Sequence, residues 1–317
     1  MVMLQTGANV RWKRGKKVFR KEDAALYLMA LPTVIFLLIF CYLPMGGLVM
    51  AFQDLNITKG IFSSPFVGLK NFEFLFSTTD AWVITRNTVC YNLVFIVVNL
   101  VISISLALML SSLRSGRYAK TVQTVYMMPY FLSYAVVAIV VNAFLDRDDG
   151  LVNAILKLTG EVGKTNWYHQ IEVWPPLLGF VNAWKGVGYQ TVLYLAVISG
   201  ISIDYYEAAV LDGASKFQQA RYITIPHLRY IVGISLILSM SSIFRGDFGL
   251  FYNVPMNQGK IYPVTDVIDT YIYRALTYLN NVGMSTAAGL YQSVVGFVLV
   301  LIVNKIVNRI DPDSAMF

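Results

Sequence analysis

Two histidines and two cysteines are all that this 317-residue chain offers for metal ligation or thiol chemistry. His169 and His227 have no companion at ligand spacing, and Cys41 and Cys90 fall in separate apolar stretches, so neither a metal centre nor a nucleophile is indicated. The polar residues with unusual placement are of another kind. Lys185 lies near the middle of the apolar stretch from Val173 to Gly200, with Asn182, Trp184, Tyr189 and Gln190 beside it. A cation at membrane depth costs about 2.5–3.5 kcal/mol by insertion scales, so its ammonium must face water or a partner group. Amides and hydroxyls exchange hydrogen bonds with sugar hydroxyls, and aromatic faces stack on apolar sugar faces, so this set would suit a saccharide path. A bundle lysine bonded to carbonyls or carboxylates is the competing role. Asn142, Arg245 and Tyr291 complete the candidate path. For Asn142 and Tyr291, as for Asn92, Asn99 and Gln292, the competing role is interhelical hydrogen bonding, at about 0.6 kcal/mol each. Arg245 and Asp247 are expected to form a local pair, and Lys185, Arg245 and Arg274 together would make a cationic path suited to uronic acids.

A second chemistry-bearing stretch, IDYYEAAVLDGASKFQQARYITIPHLRY, runs from Ile203 to Tyr230. Asp204 and Glu207 have the spacing of a capping box and predict a helix start there. Gly213 predicts its stop, because glycine accepts the left-handed conformation that closes a helix. Ser215 and Gln218 repeat the capping arrangement, and Pro226 is expected to keep the second helix short. A plain connector needs only a few residues. This one displays Ala208, Ala209, Leu211, Asp212 and Phe217, small residues that allow close approach and apolar ones that can anchor in a partner's groove; helices lying on the chain's own bundle are the alternative.

The elements that position these residues are spans of a membrane protein. Hydrophobic residues make up 56% of the chain and charged residues 14%, against roughly 45–50% and about 25% in soluble domains. The segment from Asn87 to Leu110 has no charge over 24 residues, longer than the ~20 residues that cross the hydrocarbon as a helix. Six spans are predicted: Ala24–Phe52, Asn87–Leu110, Thr121–Leu145, Val173–Gly200, Leu228–Phe244 and Met284–Val303. Pro32 and Pro44 should kink the first without breaking it. The fold class is therefore an all-α integral membrane protein with six transmembrane helices.

The basic run RWKRGKKVFRK before the first span is read as a retained cytoplasmic tail and not a secretion signal. Fifteen of the 25 Lys and Arg lie on the two tails and on the second-to-third and fourth-to-fifth connections, which puts both termini and the 203–230 loop in the cytoplasm. The net charge of +7 thus reflects topology and contact with anionic lipid, with no nucleic-acid partner expected. The organisation expected is a tail over 1–23, a permease domain over 24–304 and a tail over 305–317. Outside, Phe62, Phe66, Phe72, Phe74 and Phe76 mark an interfacial lid after the first span, and Leu151, Ile155 and Leu158 a short amphipathic helix.

The string Glu207-Ala208-Ala209, three residues, Gly213, nine residues, Ile223-Thr224-Ile225-Pro226 resembles the EAA signature of permease subunits in binding-protein-dependent ABC importers; Ile225 stands where the family commonly has leucine. LPTVIFLLIFCYLPMGGLVMAF, SSPFVGLKNFEFLF, WKGVGYQTVLYLAVISGI, GDFGLFYNV and VNKIVNR are similar to its carbohydrate branch, and to polysaccharide importers within it. The resemblance implies a type I ABC importer permease fold that forms half of an oligosaccharide or polysaccharide pathway in the bacterial cell membrane. It implies a second homologous permease, two cytoplasmic ATPase subunits and an extracellular solute-binding lipoprotein as partners. Glu207, Ala208, Ala209, Leu211, Asp212, Gly213, Phe217 and Pro226 would then form the ATPase-coupling element. The chain has no Walker sequence, so it is expected to bind no cofactor and to be no enzyme, with ATP and magnesium held by the ATPases. An ion-coupled secondary sugar transporter is the alternative, disfavoured because no Asp or Glu falls in the middle of a predicted span.

Overall fold

The computed structural model describes residues 21–310 apart from 57, 59, 114–115 and 161–164. Most of the basic tail and the last seven residues lie outside the described residues. The first helix, α1 (Lys21–Leu37), runs through Pro32 and continues as a π turn (Leu38–Tyr42) and a 3-10 segment (Leu43–Phe52). Pro44 therefore changes the winding without ending the helix, as expected: the wider π turn before it accommodates the ring and the missing N–H. After Phe52, Phe66 and Phe72 pack on its ring, and the Asn71 amide donates to the carbonyls of Ala51 and Gln53. The Phe-rich segment is thus folded, although Phe62 stands fully exposed.

Helix α2 (Thr79–Ser111) begins eight residues before the apolar run, where the Thr78 side chain accepts from Ala81 N–H. The third predicted span is not one helix. Helix α3 (Gly116–Met127) tightens into a 3-10 turn (Met128–Phe131) and is followed by α4 (Tyr134–Leu145) after a bend of 96°. Pro129 has no N–H to continue the ladder, and Ser133 starts the new helix by accepting from Val136 N–H. Helix α5 (Leu151–Leu158) is the amphipathic helix expected, and α6 (Trp174–Ser199) opens with Pro175 and Pro176, whose lack of N–H is harmless in a first turn.

After a 72° bend, α7 (Ile203–Leu211) leads to α8 (Lys216–Ser241). Here the sequence reading needs correction: Pro226 does not cut the second short helix off from the fifth span. A π turn over Ala220–Thr224 precedes the proline, and one 26-residue helix runs from Lys216 to Ser241. The pattern repeats that at Pro44. The chain then makes a turn, α9 (Ile268–Thr277) and the last helix, α10 (Val282–Ile310). Among the described residues four helices are long and apolar enough to cross a membrane, and up to six when each bent pair counts as one span.

Helix α2 packs along α6. Where α6 meets α3, Gly188 makes the fit possible, since a Cβ there would lie 2.0 Å from the Tyr126 carbonyl oxygen. Trp174, Leu178, Phe95, Leu250 and Val267 are among the residues of one buried cluster; Ile84, Phe244, Ile268 and Ala288 belong to a second. A third, of Ala107, Tyr194, Ile198 and Leu228, joins α2, α6 and α8. Many large apolar side chains outside these clusters are exposed, among them Val97, Val101, Ile139 and Phe297, as surfaces that meet lipid or another membrane subunit require.

Candidate functional site

Two features concentrate the polar residues of the spans. The first is a cavity of about 290 Å³ bordered by α2, α6, α8 and the turn after α8. Asn92 and Asn99 come from one stripe of α2, Asn182 and Gln190 from α6, and Ser235, Ser239 and Ser242 from α8 and its end; Arg245, Gly246 and Asp247 close it. The lining is stitched across helices: the Asn99 amide donates to the Asn182 carbonyl oxygen at 2.9 Å, and the Ser103 hydroxyl to Gln190 Oε1 at 3.3 Å. The Oδ1 of Asn99 is buried without a partner, a cost that an incoming donor would relieve.

Arg245 is held by its backbone, and its exposed side chain acts on Asp269 by charge without forming a salt bridge among the described residues. Asn92 Nδ2 donates to the carbonyls of Ile243 and Arg245, both at 2.9 Å. Asp269 Oδ2 accepts from Gly246 N–H at 2.6 Å and from Gln292 Nε2 at 2.8 Å, and Gln292 also reaches the Phe244 carbonyl. Burial pushes Asp269 above the ordinary carboxylate value, against the lowering effect of those donors. The expected pair between Arg245 and Asp247 does not form. Asp247 instead accepts from Leu250 N–H at the start of the next helical turn, the local bond available to an acid in that position. Among the described residues the ion pair is elsewhere, between Arg274 and Asp266. Burial opposes charge on Arg274, but the bond and charge of Asp266 hold its guanidinium above the usual value.

The other residues proposed for the path separate. Lys185 does not line the cavity: its ammonium donates to the Tyr130 carbonyl at 2.8 Å and lies 4.9 Å from the centre of the Tyr134 ring. It therefore bridges the break between α3 and α4, where a free carbonyl at a helix end attracts a cation. Tyr189 stacks on Tyr130 at 4.8 Å, Trp184 is exposed, Asn142 is half-buried in α4, and Tyr291 packs edge-on against Phe244. Of the eight path candidates, Asn182, Gln190 and Arg245 border the cavity. With Lys185 and Arg274 bonded elsewhere, a path lined by three cations is not what forms. Sequence reasoning missed the three serines, although Ser235, Ser239 and Ser242 recur at helical spacing in an apolar segment, a legible stripe.

The second feature is the V made by α7 and α8. The start of α7 differs from expectation: Ser202, not Asp204, is the cap, accepting from Asp204 N–H. A hydroxyl one residue before the helix outcompetes the carboxylate already inside its first turn. The end is as the glycine predicted. Gly213 has φ +77°, Gly213 N–H bonds to Val210 O and Ala214 N–H to Ala209 O, the two bonds of a Schellman motif. Ser215 and Gln218 form the predicted capping box. Leu211 and Phe217 are 88% and 74% exposed, and Glu207, Ala208, Asp212 and Pro226 are also exposed, with Ala209 half-buried. The V thus presents apolar anchors that its own bundle does not cover.

Residues 99–312 match the family described as binding-protein-dependent transport system inner membrane component. The chain belongs to this family. It is a permease subunit of an ABC importer, an integral cell-membrane protein and not an ATPase. Protein LplB of Bacillus subtilis is 31% identical over 98% of this chain and 96% of its own length. The polygalacturonan/rhamnogalacturonan transport system permease protein YteP of the same organism is 33% identical over 92% of this chain and 90% of its own. Among solved structures, a bacterial ABC transporter that imports the acidic polysaccharide alginate superposes with a TM-score of 0.83 at 34% identity, covering 92% of this chain and 97% of the other. A structure of the bacterial alginate transporter with an alginate pentasaccharide-bound periplasmic protein gives 0.82 at 33%, covering 93% and 98%. The type I permease fold expected from the sequence is therefore the fold observed. Membership in an ATP-driven family leaves the ion-coupled carrier without support.

Proposed function

We propose that this permease forms half of the pathway of an importer for acidic oligosaccharides or polysaccharides, with Arg245 receiving their carboxylates. The observation that carries the reading is Arg245 itself: an exposed guanidinium on the wall of an amide- and hydroxyl-lined cavity, with no ion-pair partner among the described residues. Guanidinium suits carboxylate because two parallel N–H groups match its two oxygens. Asn99, Asn182, Gln190 and the serines would exchange hydrogen bonds with sugar hydroxyls as the chain passes. The names of the relatives agree in chemistry, since alginate and polygalacturonan are both uronic-acid polymers.

In this reading the V of α7 and α8 is the docking element for a cytoplasmic ATPase, with Leu211 and Phe217 as anchors. Both termini face the cytoplasm, and ATP and magnesium belong to two ATPase subunits. A second, homologous permease supplies the other half of the path, and a loaded solute-binding protein delivers substrate at the Arg245 end. ATP binding would draw the V and its spans toward the outward-open state, and hydrolysis would reset them.

Uptake into proteoliposomes containing the complete importer tests the substrate class. Arg245→Gln should lower uptake of a uronic-acid tetrasaccharide at least tenfold while changing a neutral tetrasaccharide less than twofold. Equal loss for both sugars, or none for either, removes the acidic reading.

A further inference from the structure

Five threonines of the helices share one habit. Thr88, Thr121, Thr124, Thr191 and Thr286 each donate their hydroxyl to the carbonyl four residues back on the same helix, at 2.7–3.1 Å. Thr224 does not. It sits at the end of the π turn in α8, where the Ala220 carbonyl is taken by Ile225 N–H five residues on. Its side chain is 4% exposed and its hydroxyl meets Tyr206 Oη of α7 at 3.0 Å. One extra residue in the turn has re-aimed a threonine from its own helix to the neighbouring one.

The bond crosses the V. At the apex the arms are already fixed, by the Schellman motif at Gly213, the Ser215 capping box and Gln219 Nε2, which donates to the Ala214 carbonyl at 3.1 Å. Farther out, the Tyr205 ring lies 5.6 Å from the ring of His227, whose Nδ1 is 2.6 Å from the Ile223 carbonyl oxygen. Behind the V there is a void of about 390 Å³, lined on one side by Leu108 and Ser111 of α2 and its cap Ser112, with Ile198 and Ser199 of α6. On the other side it is lined by Tyr206, Gln219 and Thr224. A push on α7 is therefore not taken up by packing against α2 and α6 over that area. It passes into α8.

We propose that the Tyr206–Thr224 hydroxyl pair is the strut that makes α7 and α8 one lever, so that movement of the docking helix reaches the cavity through α8 as well as through α6, to which α7 is joined by the bend at 200–202. From Thr224 the same helix carries Ser235 and Ser239 on the cavity wall, about 16 and about 22 Å along its axis at 1.5 Å per residue. Tyr206 and Thr224 act through α8 and touch neither substrate nor nucleotide. The inference rests on the reading of the V as the ATPase dock, and adds to it a route by which force leaves the dock.

The test is the number of saccharides imported per ATP hydrolysed by the complete importer in proteoliposomes. Tyr206→Phe and Thr224→Val should each lower that ratio about three- to tenfold, the range one hydrogen bond supports. The double variant should be no worse than the poorer single one, and Thr224→Ser should stay near wild type. Ratios equal to wild type, or losses that multiply in the double variant, overturn the strut. Cross-linking from Leu211→Cys to the ATPase, run on every variant, separates the two readings. No cross-link in the otherwise wild-type complex overturns the dock itself. A cross-link lost only with Tyr206→Phe assigns the pair to docking and overturns its role in transmission.

Discussion

The V and the polar cavity lie at different heights along the same helix, α2: Asn92 and Asn99 border the cavity, and Leu108 to Ser112 border the void behind the V. They are built by opposite means. The apex of the V is made of bonds spanning five residues or fewer, from caps, a left-handed glycine and a capping box. The cavity is held by bonds between residues 23 to 153 positions apart, such as Gly246 to Asp269, Asn99 to Asn182 and Asn92 to Arg245. A locally specified element can dock and move as a unit, whereas a site assembled from distant segments can change shape when one wall shifts. That division suits the roles proposed for them, a rigid dock and a pathway that opens.

If the contrast holds, damage to interhelical packing near the cavity should cost assembly, and damage to the V should cost coupling. The largest effect is expected for Gly188→Ala. Its Cβ would fall 2.0 Å from the Tyr126 carbonyl oxygen, a backbone atom that cannot rotate away, so α6 must separate from α3. The yield of monodisperse complex in detergent should fall at least tenfold; a normal yield would show that the bundle end is as adaptable as the V.

Gly213→Val should come next. A β-branched residue in the left-handed region costs roughly 1–2 kcal/mol, and a Cβ at Gly213 meets no atom within 4 Å, so the penalty is one of backbone conformation. The complex should assemble normally but lose about tenfold in transport and in substrate-stimulated ATPase activity. Loss of assembly instead would erase the distinction between the two regions.

The smallest effect sharpens the comparison through pH. Asp269, which holds the Gly246 backbone beside Arg245, has its carboxyl raised above 3.8 chiefly by burial. The folded chain then binds that proton more tightly than the unfolded chain does, so this contribution to stability is fully present below 3.8 and is lost as pH rises through the folded value. Asp269→Asn, which keeps an acceptor for Gly246 N–H, should flatten this dependence in thermal unfolding of the complex between pH 4 and 7. An unchanged slope would assign the dependence to another group.

Legibility followed the same division. Gly213, Ser215 and Gln218 were readable because each acts on backbone groups within a few residues, and the expected turn formed. Asp204 misled because Ser202, two residues earlier, was the better-placed cap. Pro226 misled for a different reason. Its effect depends on whether the preceding turn can widen, and the π turn at Ala220–Thr224 is seen only once α8 is built. Lys185 was visible as an anomaly, but its acceptor, the Tyr130 carbonyl, exists only because the third span breaks 55 positions earlier.

By itself the sequence determined that this chain spans a membrane, that it carries a loop of two capped helices with the EAA pattern, and that it resembles importer permeases. Hydropathy, capping and motif spacing are properties of short segments, and short segments carry them in any context. Only the tertiary structure decided which polar residues share a cavity, that Arg245 forms no salt bridge there among the described residues, and that Thr224 turns from its own helix to Tyr206. Those facts depend on the relative rotation and depth of helices, which are set by packing, and packing is the sum of contacts between segments that no local pattern specifies.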